Sequence, residues 1–396
     1  QLVLKVEDQG ASVSIEEVGA EIEDIDKLAE QAVQYGKTGS LWSRYQEIHK
    51  LNKKKYVIDE SFKIDETKLR DLIEERAVPL EQKAVNASAS YNESGFDLTD
   101  EAEGYTVDID KSVKKIKNFM NKKWNYEDAE VELTLDTEDP AVKKTDLESL
   151  QDELGSYSTN AGWGDRVQNL RRAAELINGT VVMPGEEFSV EQTTLPYTEE
   201  NGYVAGSAYE NGQIVESIGG GLCQVSTTLY NAVLYAELEV TQRASHSMSV
   251  SYVDPSRDAM IAEGISDFKF VNNYDTPILI EGYIDSNNQL GFYIYGKDTR
   301  DAEHSVEFES ETLETTEYTT KYVEDTEAEI GSQETEGAGM DGSTARLWKV
   351  TYENGEEVSR EVINNSTYQT SDVTVKVGTK SDNAEATKLV REAITT

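Results

Sequence analysis

Three consecutive glycines, Gly219, Gly220 and Gly221, run through Leu222 into Cys223, the single cysteine of the chain. Glycine adopts backbone angles closed to other residues and lets a second segment approach closely. Behind the run, Val225, Leu229, Ala232, Val233 and Ala236 recur at helical spacing. The pattern predicts a bare loop feeding an apolar helix, with Cys223 in its first turn. Unpaired N–H groups and the positive end of the helix dipole there favour thiolate over thiol. The amides of Gly219, Gly220, Gly221, Leu222 and Cys223 are candidate oxyanion donors.

A thiolate nucleophile needs a proton-handling partner. The chain has three histidines, His49, His246 and His304, and only His246 follows Cys223 closely, 23 residues on. A helix to Ala236 runs about 20 Å away from the cysteine. Residues 239–253 are β-rich and extended in pattern, and an antiparallel return covers the same roughly 20 Å. His246 can therefore arrive level with Cys223. The residues leave other readings open. A lone cysteine also serves as a small buried hydrophobe, the glycines as a tight turn or close backbone contact, and His246 as a structural histidine. A phosphate loop is disfavoured because no Lys-Ser/Thr follows the glycines.

Further candidates lie nearby. Asp258 or Asp267 could orient His246 as a third member. Arg257 could hold a substrate carboxylate by a two-pronged hydrogen bond, or pair with Asp254 or Asp258. Tyr209, Tyr252, Gln224 and Ser226 are candidate substrate-binding residues. No metal or other cofactor is expected, since one cysteine and scattered histidines give no ligand spacing.

A long ordered series carries a family resemblance: Asn178-Gly179-Thr180, Pro184-Gly185-Glu186-Glu187-Phe188-Ser189, Gly202-Tyr203, the glycine run through Leu222-Cys223-Gln224-Val225-Ser226-Thr227-Thr228, His246-Ser247, Ser251-Tyr252-Val253, Arg257-Asp258-Ala259 and Asp267-Phe268-Lys269-Phe270. Together these resemble a VanW domain over about residues 156–297. The resemblance implies a bacterial cell-envelope protein. It also implies a link to L,D-transpeptidation, in which a cysteine carries a peptidoglycan stem peptide as a thioester. The positions that match that cysteine and its histidine are Cys223 and His246.

The rest of the chain reads as small modules in series. Residues 1–80 pattern as one α+β unit: Leu2–Val6 alternates as a strand, and Asp65 can cap a helix carrying Leu69, Leu72 and Ile73. Residues 81–155 look like a second copy, because Asp24-Ile25-Asp26-Lys27 recurs as Asp108-Ile109-Asp110-Lys111, 84 residues later. Both resemble the repeats named as peptidoglycan-binding that precede VanW domains; a ligand-free spacer is the other reading. Residues 156–298 form the central domain, with a helix from Arg166 to Ile177. Residues 189–203 pattern as a loop, and Asn211-Gly212 signals a hairpin. In residues 302–380, Gly331, Gly337, Gly342, Gly355 and Gly378 resemble the five-glycine extracellular module, an elongated β-rich fold that implies wall-sugar adhesion or a stalk. Residues 381–396 pattern as a tail or linker. The expected fold class is α+β multidomain: two small α+β repeats, a central mixed or antiparallel α+β domain, and an elongated β-rich module.

A formal net charge of -40 makes a nucleic-acid role improbable, since phosphate neutralisation needs clustered Lys and Arg. On whole-chain charge, an anionic membrane surface is disfavoured as well. With one cysteine there is no intrachain disulfide, and no apolar run is long enough to span a membrane. The chain reads as a trimmed ectodomain whose export signal or anchor lies upstream, on the extracellular face of a bacterial cell. The expected activity is a cysteine-dependent peptidoglycan L,D-transpeptidase, with L,D-carboxypeptidase as a side activity if water resolves the thioester. Stem peptides and glycan are the expected partners, and oligomeric state is not legible. The alternative is a non-catalytic wall-binding protein.

Overall fold

The computed structural model describes residues 1–58, 60–92, 94–210, 213–337 and 339–395, without the side chains of 208–210 and 213–215. The fold is mixed α+β, with a β-rich module over residues 304–380. The chain divides into two compact units, residues 1–87 with 100–141, and residues 88–99 with 142–396.

In the first unit, alternation in Leu2–Val6 buries Leu2, Leu4 and Val6 completely. That strand pairs antiparallel with Gln9–Val13 and parallel with Ala129–Glu132. Two helices cover the sheet. Asp65 caps Glu66–Arg76 by accepting from the Thr67 and Lys68 amides, and Asp108 caps Ile109–Lys122 by accepting from the Lys111 amide. Leu69, Leu72 and Ile73 meet Val113, Ile116 and Met120 in one apolar core. The expected boundary at residue 80 therefore falls inside a single core, because its central strand draws one neighbour from each supposed repeat. The repeated tetrapeptide starts a helix both times, with different outcomes. Asp24 sits in the left-handed region (φ 51°) and makes no side-chain cap, and its helix Ile25–Gln34 buries no residue. The next helix, Leu41–Leu51, buries none either.

In the second unit, an antiparallel sheet orders Asp152–Asn160, Gln289–Gly296, Ile278–Ile284 and Thr180–Val182. A smaller one orders Glu187–Ser189, Lys269–Val271 and Glu239–Gln242. Helix Arg166–Ile177 packs with helix Leu222–Tyr235, of which all residues but Cys223 and Tyr235 are buried. A helix apolar on all sides must sit inside a domain. Its polar residues are satisfied: Thr228 bonds Thr159 at 2.8 Å, and Asn231 donates to the carbonyls of Thr227 and Arg257. Gly155 permits the close fit, since a Cβ there would lie 2.4 Å from the Ala236 amide nitrogen.

Three expectations need correction. The strand after this helix is only Glu239–Gln242, and residues 243–268 follow an irregular path, so His246 is not on a strand. Residues 189–203 hold a short helix, Val190–Thr194, and a 3-10 turn, Glu199–Asn201. The expected tail forms a helix, Ala384–Ile394, capped by Asn383 and tied by Arg391 to Glu324 at 2.6 Å. The Asn211-Gly212 turn lies outside the described residues, although strands Ala205–Glu210 and Gln213–Ile218 pair antiparallel on either side of it. The β-rich module orders His304–Thr316, Gly342–Glu353 and Glu356–Tyr368 in one sheet, and Thr320–Glu329, Val373–Lys380 and Gln333–Glu336 in another. Asn354 and Gly355, both at positive φ, close the tight hairpin predicted for them.

Candidate active site

The glycine run is dictated by space and by backbone angle. Gly219 (φ 79°) and Gly221 (φ 102°) lie in the left-handed region, and a Cβ on Gly220 would lie 2.1 Å from the Gly206 carbonyl oxygen. The loop is thereby pressed against the strand Ala205–Glu210, and it delivers Cys223 to the second residue of its helix. Gly221 is the N-cap and has no side chain to cap with. Two of the expected oxyanion donors are already engaged: the Gly219 amide donates to Val204 and the Gly220 amide to Ser217. Leu222 makes a long bond, 3.4 Å, to the Gly219 carbonyl. Among the described residues, the Gly221 and Cys223 amides donate to no protein acceptor.

Cys223 is half-buried, in densely packed surroundings at the edge of the core. As a thiol, its sulfur donates to the Ile261 carbonyl at 3.3 Å. The imidazole of His246 is electrostatically coupled to the sulfur, each shifting the proton affinity of the other. His246 is itself buried and held twice by Asp258: its amide donates to Oδ2 at 2.7 Å, and Nδ1 meets the same oxygen at 2.6 Å. With Nδ1 spent on the carboxylate, the interaction with sulfur falls to Nε2. A carboxylate, an imidazole and a sulfur thus stand in series.

Burial pushes the Cys223 thiol up, but the hydrogen bond and charge of His246 outweigh it, and the net shift is below the ordinary thiol value. Burial pulls His246 down; Asp258 and the sulfur raise it further, to about 9. Burial likewise opposes the ionised Asp258, and its bonds to His246 and Tyr368 hold it below the usual carboxylate range. These directions favour a thiolate–imidazolium pair over a thiol beside a neutral imidazole.

Asp258 is completely buried, and its other oxygen accepts from Arg243 Nη2 at 3.0 Å and from the Tyr368 hydroxyl at 2.6 Å. Arg243 also donates to the Asp258 carbonyl and to Ser366 Oγ. Tyr368 and Ser366 belong to the strand Glu356–Tyr368 of the β-rich module. The sequence reading missed all three. Tyr368 is 110 residues from Asp258 and left no local signal; Arg243 is only 15 away, but sequence does not show that it turns inward.

The other candidates fall outside this series. Asp267 accepts from Ser189 Oγ and from the Glu191 and Phe268 amides, and so fixes the start of a short helix instead of orienting His246. Arg257 is buried, with Nε on Asn231 Oδ1 at 2.8 Å, Nη1 on the Phe308 carbonyl and its guanidinium 5.0 Å from the Tyr157 ring centroid. It is not placed to receive a substrate carboxylate, nor does it pair with Asp254 or Asp258. Gln224 and Ser226 are buried and fully engaged, Gln224 with Arg166, Thr159 and Asn160, Ser226 with the carbonyls of Ala259 and Cys223. The side chain of Tyr209 lies outside the described residues. Burial raises the phenol of Tyr252, and the charge of Cys223 raises it further. Tyr197, not singled out from sequence, lies in the same surroundings, its phenol pushed up to about 12 mainly by burial. Arg166 is half-exposed and stands over the glycine loop, where a Cβ on Gly221 would lie 3.2 Å from its Nε.

Three family models match the chain: "VanW like protein" over residues 165–295, "Putative peptidoglycan binding domain" over 11–129, and "G5 domain" over 308–380. Uncharacterized protein YoaR of Bacillus subtilis is 44% identical over 130 residues, a match covering 32% of this chain and 43% of that protein. Vancomycin B-type resistance protein VanW of Enterococcus faecalis is 30% identical over 146 residues, covering 34% of this chain and 53% of that protein. The chain thus spans about half the length of the curated relatives it matches. The structure of the IgA1 protease G5 domain is 25% identical, covers 20% of this chain and 94% of that one, and superposes with a TM-score of 0.16. Peptidoglycan-binding, VanW-like and G5 segments in this order are the architecture of a cell-wall protein.

Proposed function

We propose that this VanW-like cell-wall protein is a peptidoglycan L,D-transpeptidase with Cys223 as its nucleophile. The observation that carries the reading is the series Cys223–His246–Asp258 at the bare start of a helix. The thiolate attacks the carbonyl between the third stem residue and the D-alanine that follows it. The Gly221 and Cys223 amides receive the developing oxyanion. The imidazolium gives its proton to the leaving amine, the carbon–nitrogen bond breaks, and D-alanine departs from a thioester on Cys223. The amine of a neighbouring stem then attacks the thioester, His246 takes its proton, and the thiolate is regenerated. Water in place of the amine gives the carboxypeptidase side reaction. Arg166, half-exposed over the loop and donating to the Ala161 carbonyl and to Gln224 Oε1, takes the place of the buried Arg257 as the arginine offered to a substrate carboxylate. The site works on the outer face of a bacterial cell, on stem peptides of the wall.

The test is incubation with disaccharide-tetrapeptide, read by mass spectrometry. Release of D-alanine, a third-position dimer and an acyl adduct on Cys223 are expected from the wild type. All three are expected to vanish in Cys223→Ala. Equal behaviour of the two proteins, with stem peptide still bound, would establish the wall-binding alternative.

A further inference from the structure

We infer that the helix Leu41–Leu51, with the lysines that follow it, is a docking surface for the anionic phospholipid face of a membrane. The helix buries no residue, and neither it nor the helix before it contributes to the core of its unit. Leu41, Trp42, Tyr45, Ile48 and Leu51 are exposed by 84%, 66%, 58%, 49% and 44%. At about 100° per residue Leu41, Tyr45 and Ile48 share one face of the helix, with Trp42 on one flank and Leu51 on the other, and all five side chains are open to solvent.

The charge around these side chains is opposite to that of the chain. The formal net charge is -40 overall, yet residues 36–55 hold Lys37, Arg44, Lys50, Lys53, Lys54 and Lys55 against one acid, Glu47. Glu47 is occupied, accepting from the Gly36 amide at 2.7 Å. Among the described residues none of the six cations makes an ion pair, and all six are exposed. A helix with an aromatic and aliphatic face bordered by Lys and Arg is built to lie in a headgroup layer, and a cluster of this size is drawn to anionic lipid. Screening at physiological salt confines that attraction to roughly 8 Å, so the acidity of distant parts does not cancel it.

Other occupants account for less. A wall glycan could stack on Trp42 and Tyr45 but gives no reason for Leu41, Ile48 and Leu51. A two-fold pair of copies would set the two basic clusters against each other. Among the described residues no helix is long and apolar enough to cross a membrane, so the contact is one of surface docking.

The experiment uses the full chain and sedimentation with vesicles of phosphatidylcholine, with and without one-third phosphatidylglycerol. Binding to the anionic vesicles is expected, released by high salt and at least about tenfold weaker on phosphatidylcholine alone. Trp42→Ala/Ile48→Ser and Lys53→Glu/Lys54→Glu/Lys55→Glu should each lower it by a similar factor, with an unchanged thermal melt. Binding that neither variant alters, absence of binding, or equal binding to neutral vesicles overturns the inference. So does loss of binding to lipid-free peptidoglycan in the same variants, which marks a glycan site, or a variant-sensitive dimer in sedimentation velocity.

Discussion

The hydroxyl of Tyr368, on a strand of the G5 module, donates to the buried carboxylate of Asp258 at 2.6 Å, and the other oxygen of that carboxylate holds His246. The C-terminal module thus supplies part of the wall behind the candidate catalytic series. Tyr368→Phe keeps the ring and removes the donor, and the Ser256 amide loses its acceptor as well. The expected cost is about 2 kcal/mol of stability, measured by chemical denaturation. Because Arg243 and His246 still hold Asp258 ionised, turnover of disaccharide-tetrapeptide should fall only several-fold, in kcat more than in KM.

Asp258→Asn should do more damage. It leaves the Arg243 guanidinium, 8% exposed, without its carboxylate. Breaking a buried pair from one side costs about 3–5 kcal/mol. Asp258 raises His246, so its neutralisation lowers the imidazole from about 9 and removes the cation that stabilises the thiolate. Asp258 also opposes the thiolate directly, but that effect stands last among the influences on Cys223. The prediction is slower alkylation of Cys223 by iodoacetamide at neutral pH. Asp267→Ala is the contrast: it leaves the Ser189 hydroxyl and the Glu191 and Phe268 amides without their acceptor, and should cost about 1–3 kcal/mol while leaving alkylation unchanged.

The pH dependence follows from the two shifts. The folded pKa of His246 is raised, so its contribution to stability is complete below the unfolded value near 6.5 and disappears as pH rises through about 9. The folded pKa of Cys223 is depressed, so its contribution is present above the unfolded thiol value and disappears as pH falls through the depressed one. Between the two folded values the ion pair persists. Alkylation of Cys223 should therefore reach half-maximum below the pH typical of a free cysteine, and His246→Ala should return that midpoint upward. A wild-type midpoint at or above the free-thiol value would contradict the ion pair.

Gly220→Ala tests the loop. Its Cβ would meet the Gly206 carbonyl at 2.1 Å, with backbone on both sides and nothing free to rotate away. A loss of about 3 kcal/mol or more is expected, visible as a lower midpoint in urea. Gly185→Ala, at positive φ with no atom within 4 Å, should cost less.

The site was legible in sequence where local pattern controls geometry. The glycines, the apolar helix and the position of Cys223 follow from periodicity and backbone freedom, whereas His246 lies on the irregular path of residues 243–268 and not on the expected returning strand. Asp258 stood beside Asp267 as an equal candidate, since sequence spacing does not show which carboxylate turns inward. Arg257 misled because it adjoins Asp258, yet it is bound to Asn231 and to the Phe308 carbonyl, away from the sulfur. The amino-terminal unit was misread for a related reason. Leu2–Val6 takes Ala129–Glu132 as its parallel neighbour, and pairing across so long a separation leaves no trace in a local pattern. Tyr368 and Ser366 were invisible on the same ground, whereas Arg243, 15 residues from Asp258, was overlooked because nothing in its local pattern shows that it turns inward.

The guanidinium of Arg257 lies between the helix that carries Cys223, through Asn231, and the first strand of the β-rich module, through the Phe308 carbonyl. Recombination that exchanged this module for another would strip that arginine of one acceptor and uncover the carboxylate that Tyr368 touches. Such swaps would succeed only between parents that share this seam, so the two pieces are constrained to diverge together.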